Sequence, residues 1–234
     1  LLINTNYAMF TSHLFYSSPR HSLMFLVKNT ASDTFIVKEI FMDKDDKMAT
    51  YRLSPSKIIP DMSKGYAYIN FPNVNFVGEN IVYNYPVESS IYTLNMRTNE
   101  RKYILADSRY TSNIIEKCTT TGDYATLEKH WLENPHFYDV MYLPKYKIYA
   151  RLHADKVDFD EKKGVEKLIN ERDLYLMLFD EHMEKIGEMK LSNCRYSPFT
   201  SWNATYGGIA FFVDNILDEK NDTDDLTIDM IFLK

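Results

Sequence analysis

Apolar and polar residues alternate along "NIVYNYPVESSIYTLNMRTNERKYIL" (80–105), stop at Pro86, alternate again, break at "NMRTNE" and resume. A period of two belongs to a strand with distinct faces, and the polar interruption marks a hairpin turn. The figure recurs. A Pro or Gly turn leading into an apolar, aromatic strand stands at 16–27, 71–85, 142–152 and 206–213; with Phe25, Val82, Tyr149 and Ala210 as anchors, the spacings are 57, 67 and 61 residues. A second figure, strand, polar turn, strand, follows at 35–53, 90–105 and 173–191. Asp43, Asn95 and Asp180 stand at the turn entries, where a short side-chain acceptor bonds the backbone two residues on. The last unit closes on "DLTIDMIFLK", a strand without a return, and the N-terminal "LINTNYAMF" is the candidate to complete it.

Self-similarity at a fixed period predicts an all-β chain of β-propeller-like repeats. Four units of antiparallel four-stranded blades are expected, near 15–65, 66–135, 136–195 and 196–234, as one domain. The alternative is an antiparallel sandwich whose hairpins are alike by accident. One segment breaks the pattern: Tyr124, Leu127 and Trp131 fall at i, i+3 and i+7 behind Asp123, which predicts a short capped helix in an inter-blade loop.

Composition sharpens this picture. With 234 residues, 45% hydrophobic, the chain can bury a core, and 18 Tyr and 14 Phe against 7 Gly favour sheet. A net charge of −6 excludes the clustered basic surface on which nucleic-acid binding depends. No run of 18 apolar residues exists to span a membrane as a helix. Cys118 and Cys194 show no metal or redox spacing, which leaves buried thiols or one long-range disulfide.

Candidate chemistry is sparse. No G-x-S-x-G elbow occurs, Ser201 in "SWNATYGG" lacks a glycine-flanked turn, and the six histidines show no zinc spacing. The richest cluster is "RLHADKVDFDEKK" (151–163). There Asp155, Asp158 and Asp160 offer alternating oxygen ligands of the kind Ca²⁺ takes, without the glycine or twelfth-position Glu of an EF-hand; a solvated loop is the plainer reading. Tyr149, Arg151 and His153 stand where a strand is expected to run out into that loop. They are the candidate ligand-binding residues: an aromatic platform, a planar fork for carboxylate or phosphate, and a group that titrates near neutrality. The acidic run at 218–229 reads as solvated surface.

At "NPHFYDVMYLPKYKIYARLHAD" (134–155), followed by "LYLMLFDEHMEKIGEMKL" and preceded by "NIVYNYPVESSIYTLNMRTNERKYILADSRY", the chain resembles domain-of-unknown-function family 4221, propeller-type lipoproteins of Bacteroidetes. The likeness runs over about 66–213 and suggests the C-terminal two thirds of such a protein. It implies a six-bladed, TolB-like propeller, a lipid anchor upstream of this sequence and a periplasmic or surface location in the cell envelope. It implies no activity. The chain departs from the family in showing four units, no lipoprotein Cys, and Tyr149-Ala150-Arg151 where Tyr-Tyr often precedes the Arg.

The expected function is therefore a non-enzymatic binding or interaction module without a cofactor, taking a protein or glycan-derived ligand at its loop ends. The competing expectation is a propeller hydrolase or lyase with a metal or acid/base site around His153 and Asp155. A third is a fragment whose missing blades come from another chain.

Overall fold

The structure, a computed structural model, describes residues 7–29, 32, 34–43, 47–58, 71–118, 123–198, 202–220 and 225–233. Four antiparallel sheets follow one another along the chain. The first comprises β1 (Tyr7–Ser17), β2 (Ser22–Asn29), β3 (Thr34–Phe41) and β4 (Met48–Arg52) in that order. The second runs β5 (Asn73–Val77), β6 (Asn80–Asn84), β7 (Ile91–Asn95) and β8 (Arg101–Ile104). The third is β9 (His136–Leu143), β10 (Ile148–Ala154), β11 (Leu174–Phe179) and β12 (Lys185–Lys190); the fourth has three strands, β13 (Trp202–Ala204), β14 (Gly208–Phe212) and β15 (Ile228–Phe232). Each is a simple up-and-down meander, so the architecture is a series of propeller-like blades. The anchors Phe25, Val82, Tyr149 and Ala210 all fall on the second strand of their sheets.

Two of the three expected turn entries, Asn95 and Asp180, carry the chemistry expected of them, while the residues that follow Asp43 lie outside the described ones. Asn95 Oδ1 accepts from the amides of Arg97 and Thr98 at 3.0 and 2.9 Å, and Asp180 Oδ1 from those of His182 and Glu184 at 2.9 and 2.8 Å. Gly78, at φ +59°, makes the two-residue turn between β5 and β6, where a β-carbon would be strained. Gly208 answers a different need: a β-carbon there would lie 2.3 Å from the Ile231 carbonyl oxygen, so only glycine lets β15 approach.

Neighbouring sheets pack face to face, each pair around its own apolar cluster. Met24, Leu26 and Val37 of the first meet Ile81, Tyr83 and Leu94 of the second. Val82 and Ile91 of the second meet Val140, Met177 and Phe179 of the third. Leu152, Leu174 and Leu176 of the third meet Ile209 and Phe211 of the fourth. A sheet with both faces covered loses the plain in/out alternation, and β11 is buried at five of its six positions. Side-chain amides stitch the second sheet to the third: Asn73 and Asn75 donate to the carbonyls of Phe137 and Val140 at 3.2 and 3.1 Å.

The predicted helix is α1 (Tyr124–Leu132), its first turn capped by Asp123, which accepts from the amides of Ala125 and Thr126. Leu127 and Leu132 are its buried residues, whereas Tyr124 is exposed, so the packed face is rotated from the expected one. A second helix, α2 (Val165–Asn170), was not expected; it follows the acidic loop and packs Leu168 and Ile169 against Leu132. Two further expectations are corrected. Tyr7–Phe10, the described part of "LINTNYAMF", pair with β2 in the first sheet and not with the fourth, because β1 has a full hydrogen-bonded partner there. That sheet opens at Tyr7, ahead of position 15. Of the two states left open for the cysteines, the structure has thiols and no disulfide, with Cys118 buried and Cys194 half-buried. Ser201, the boundary at 65–66 and residues 221–224 of the acidic run lie outside the described residues.

Candidate functional site

β10 sends alternate side chains to its two sides, and Tyr149, Arg151 and His153 therefore share the side that faces the second sheet. Their surroundings differ sharply along that line. Arg151 is wholly buried. Its guanidinium donates to the Ser89 carbonyl, to the Ala106 carbonyl at 2.8 Å and to the Met177 sulfur at 3.2 Å, with its carbon 4.9 Å from the centre of the Phe137 ring. Burial pulls its pKa down to about 9, against the attraction of Glu188 and Asp107. It remains a cation at neutral pH, held by loop carbonyls and aromatic faces.

His153 is also wholly buried. Its ring stacks between Phe137 (centroids 5.6 Å apart) and Tyr175 (5.0 Å), and Tyr110 continues the column onto Tyr175 at 4.9 Å. Nε2 meets the Ser108 hydroxyl at 3.0 Å and lies 3.6 Å from Glu188 Oε1. Burial, with Arg151 and Lys185 adding to it, pulls the imidazole pKa down to about 3, so the ring is neutral. Glu188, its carboxylate also buried, accepts from the Ser108 hydroxyl at 2.5 Å, from the Arg109 amide at 3.1 Å and from Lys185 Nζ at 3.2 Å. Lys185 also donates to the Asp107 carbonyl at 2.6 Å. The segment after β8 is thus fastened to the third sheet by a buried polar network. These are not the groups of an open loop end, because β10 continues between two sheets through Ala154, beyond both residues.

Tyr149 is placed otherwise. It lies at the edge of the same interface, tilted against Tyr142 at 4.9 Å, with burial raising its phenol pKa and Tyr142 adding to the rise. Beside it opens a cleft of about 350 Å³ between the second sheet and the β11–β12 turn, lined among others by Asn80, Thr93, Asn95, Lys102, Tyr149 and His182. Two carboxamides, a hydroxyl, the Lys102 ammonium and the Glu100 carboxylate come from the second sheet and its β7–β8 turn, the Glu181 carboxylate and the His182 imidazole come from the β11–β12 turn, and the mostly buried Tyr149 ring lies beside them. Sequence reasoning reached Tyr149 but not the rest of the lining. The signal available was the pair of turn-flanking asparagines, Asn80 and Asn95, whose side chains meet at 3.0 Å.

The three candidate metal ligands are not gathered into a cage. Asp155 Oδ1 accepts from the Lys156 amide at 2.8 Å, Asp160 Oδ1 from the Lys162 amide at 2.9 Å, and Asp158 is exposed. Among the described residues no group of three or more His, Cys, Asp or Glu is arranged to hold a metal ion. Sequence reading also missed Arg172, a buried cation that clips α1 to the third sheet. It donates to the carbonyls of Asp155 at 2.6 Å and Asn134 at 2.7 Å and packs against the Trp131 ring.

Among the described residues no helix is long and apolar enough to cross a membrane. No protein-family model matches the chain, and no curated protein matches it. Among solved structures it is similar to a member of the duf4221 family from Bacteroides vulgatus, with a TM-score of 0.65 at 12% identity, over 93% of this chain and 63% of that one. It is also similar to the beta-propeller domain of the Trilobed protease from Pyrococcus furiosus, with a TM-score of 0.43 at 13% identity, over 96% of this chain and 59% of that one. The chain therefore spans less than two thirds of either neighbour. At such identity the first likeness is one of fold, and the family to which residues 134–155 pointed is the family of that structural neighbour.

Proposed function

We propose that the chain is a non-enzymatic binding module of the duf4221 kind, six-bladed when whole, held at a bacterial cell envelope by a lipid anchor outside this sequence, and that its ligand is glycan-derived. The observation that carries the reading is the division within the predicted trio. Arg151 and His153 are consumed by structural contacts, while Tyr149 borders a mainly polar cleft lined by two carboxamides, a hydroxyl, an ammonium, an imidazole and the carboxylates of Glu100 and Glu181. Such a lining suits a polyhydroxylated ligand, whose hydroxyls both donate to carboxylate and carboxamide oxygens and accept from amide and ammonium groups. A buried neutral imidazole whose Nε2 already meets Ser108 is poorly placed to exchange a proton with a substrate, which counts against the hydrolase or lyase reading.

The test is isothermal titration of the full chain with neutral, N-acetylated and uronic oligosaccharides, beside a Lys102→Ala/His182→Ala variant and a product assay. One class should bind, at least tenfold more weakly in the variant and without cleavage. Binding by no class, or cleavage of a bound sugar, overturns the proposal.

A further inference from the structure

The cleft beside Tyr149 changes character from rim to floor, and the register of the second sheet sets the change. On the face that meets the third sheet, Asn80 stands opposite Asn95, Thr93 stands between Val82 and Lys102, and Ile91 stands opposite Ile104. Successive rows across the sheet are therefore polar, mixed and apolar. The apolar end belongs to the cluster between the two sheets: Val82, Tyr149 and Met183 are almost wholly buried in it, and the half-buried Ile104 packs against it. All four of these side chains border the cleft.

Next to that floor two polar groups are uncommitted. Asn95 spends its carboxamide oxygen on the β7–β8 turn and its amide on Asn80 Oδ1. Among the described residues the Asn80 amide and the Thr93 hydroxyl have no hydrogen-bond partner. The two are diagonal neighbours on one face, because Thr93 stands opposite Val82, two residues beyond Asn80. The charges of the rim do not balance. The Lys102 ammonium lies 3.6 Å from the Glu100 carboxylate, whereas Glu181, across the cleft, has no ion-pair partner among the described residues.

We infer, resting on the reading of this cleft as a glycan site, that its ligand is an oligosaccharide of N-acetylated amino sugars and that uronic sugars are turned away. An acetamido group brings one acceptor, one donor and a methyl group. Its carbonyl accepts from the Asn80 amide, its N–H donates to the Thr93 hydroxyl, and its methyl covers Val82 and Ile104. A plain hexose hydroxyl satisfies the same polar groups but leaves the apolar floor to water. A uronic carboxylate meets Glu100 and Glu181 with one ammonium, Lys102, to offset them.

Isothermal titration of the full chain at pH 8, where a free imidazole is neutral, with oligosaccharides of N-acetylglucosamine, glucose and galacturonic acid reads both preferences. The N-acetylated series should bind about tenfold more tightly than the glucose series, and the galacturonic series more weakly than either. Two variants assign the cause. Ile104→Thr, at a half-buried strand position, should narrow the gap between the first two series and leave the uronic penalty. Glu181→Gln, at an exposed turn, should reduce the uronic penalty and leave the first gap, and added salt should act as Glu181→Gln does. Glucose or galacturonic oligosaccharides bound as tightly as the N-acetylated ones, or gaps indifferent to both variants, would overturn the inference and leave a glycan site standing. Binding of no series would overturn the site itself, and the inference with it.

Discussion

On one face of β10, Tyr149, Arg151 and His153 meet the second sheet; on the other, Ala150, Leu152 and Ala154 meet the fourth. Arg151, Leu152 and His153 are all fully buried, yet the two faces do different work. The apolar face joins strand to strand, where every backbone group already has a ladder partner and only shape must match. The polar face joins strand to loop. Ser89 precedes β7 and Ala106 follows β8, so their carbonyls have no place in a ladder, and Arg151 supplies the donors that they would otherwise lack inside the protein. The lesson is that a buried cation here completes the irregular ends of a neighbouring blade.

Truncating each face in turn breaks the comparison most severely. Arg151→Ala leaves two buried carbonyls without a donor and opens a cavity, and should cost about 4 kcal/mol. Leu152→Ala removes only packing and should cost about 3 kcal/mol. Arg151→Met, which refills volume without restoring donors, should fall between Arg151→Ala and the unmodified chain. Urea unfolding of the three variants measures this. A loss under about 1 kcal/mol for Arg151→Ala would mean that water reaches those carbonyls and that the polar face is not closed.

Acid should separate the same two faces. His153 is neutral in the folded protein, with a pKa near 3 against 6.5 for a free imidazole. Below pH 6.5 the unfolded chain therefore binds a proton that the folded one refuses, and stability falls as pH drops toward the folded value. The expected slope from this one group is about 1.4 kcal/mol per pH unit. His136 is also held low, chiefly by burial and then by Arg172, but it is partly exposed and should contribute less. Glu39 belongs to a lower window. Burial pushes its carboxyl up, but hydrogen bonds from Arg20, Ser22 and Tyr51 outweigh that and hold it below the usual range, so its contribution is lost only as pH falls through that depressed value. Urea unfolding between pH 7.5 and about 5 should show a shallower acid slope for His153→Gln than for the unmodified chain. Coincident slopes would place solvent at the ring.

How much of this was legible depends on whether a residue's task is local. The turns at Asn95 and Asp180 are read from a side chain and the amides two to four residues on, so the blade series followed from them. So did the second-strand anchors, because a Pro or Gly turn before an aromatic run is a local signal. The burial of Arg151 and His153 was not readable, since a strand covered on both faces gives no alternation to tell inside from outside, and their partners Ser89, Ala106 and Ser108 lie 45 to 62 residues away. The helix α2 was hidden for a related reason. Gly164 caps it without a side-chain bond, and its apolar pair Leu168 and Ile169 is too short a pattern to show a period.

The smallest expected effect lies at the rim of the cleft, where stability and binding can be parted. Asn95 closes the β7–β8 turn with one carboxamide oxygen that accepts from the amides of Arg97 and Thr98 and from the Thr98 hydroxyl at 3.1 Å. Asn95→Ala deletes these at an exposed turn, where water replaces the lost acceptor, and should cost about 1 kcal/mol, well below either change on β10. Asn95→Asp keeps the acceptor for both amides and should cost less. It also replaces the amide that donates to Asn80 at 3.0 Å with a second oxygen, which adds negative charge to the cleft. Urea midpoints at constant m-value should therefore rank Asp above Ala, while oligosaccharide titration should rank both variants below the unmodified chain. Equal midpoints for the two variants would show that the oxygen's bonds do not hold the turn. Unchanged titration in both would move the ligand away from Asn95, and with it the role assigned to the edge of the polar face.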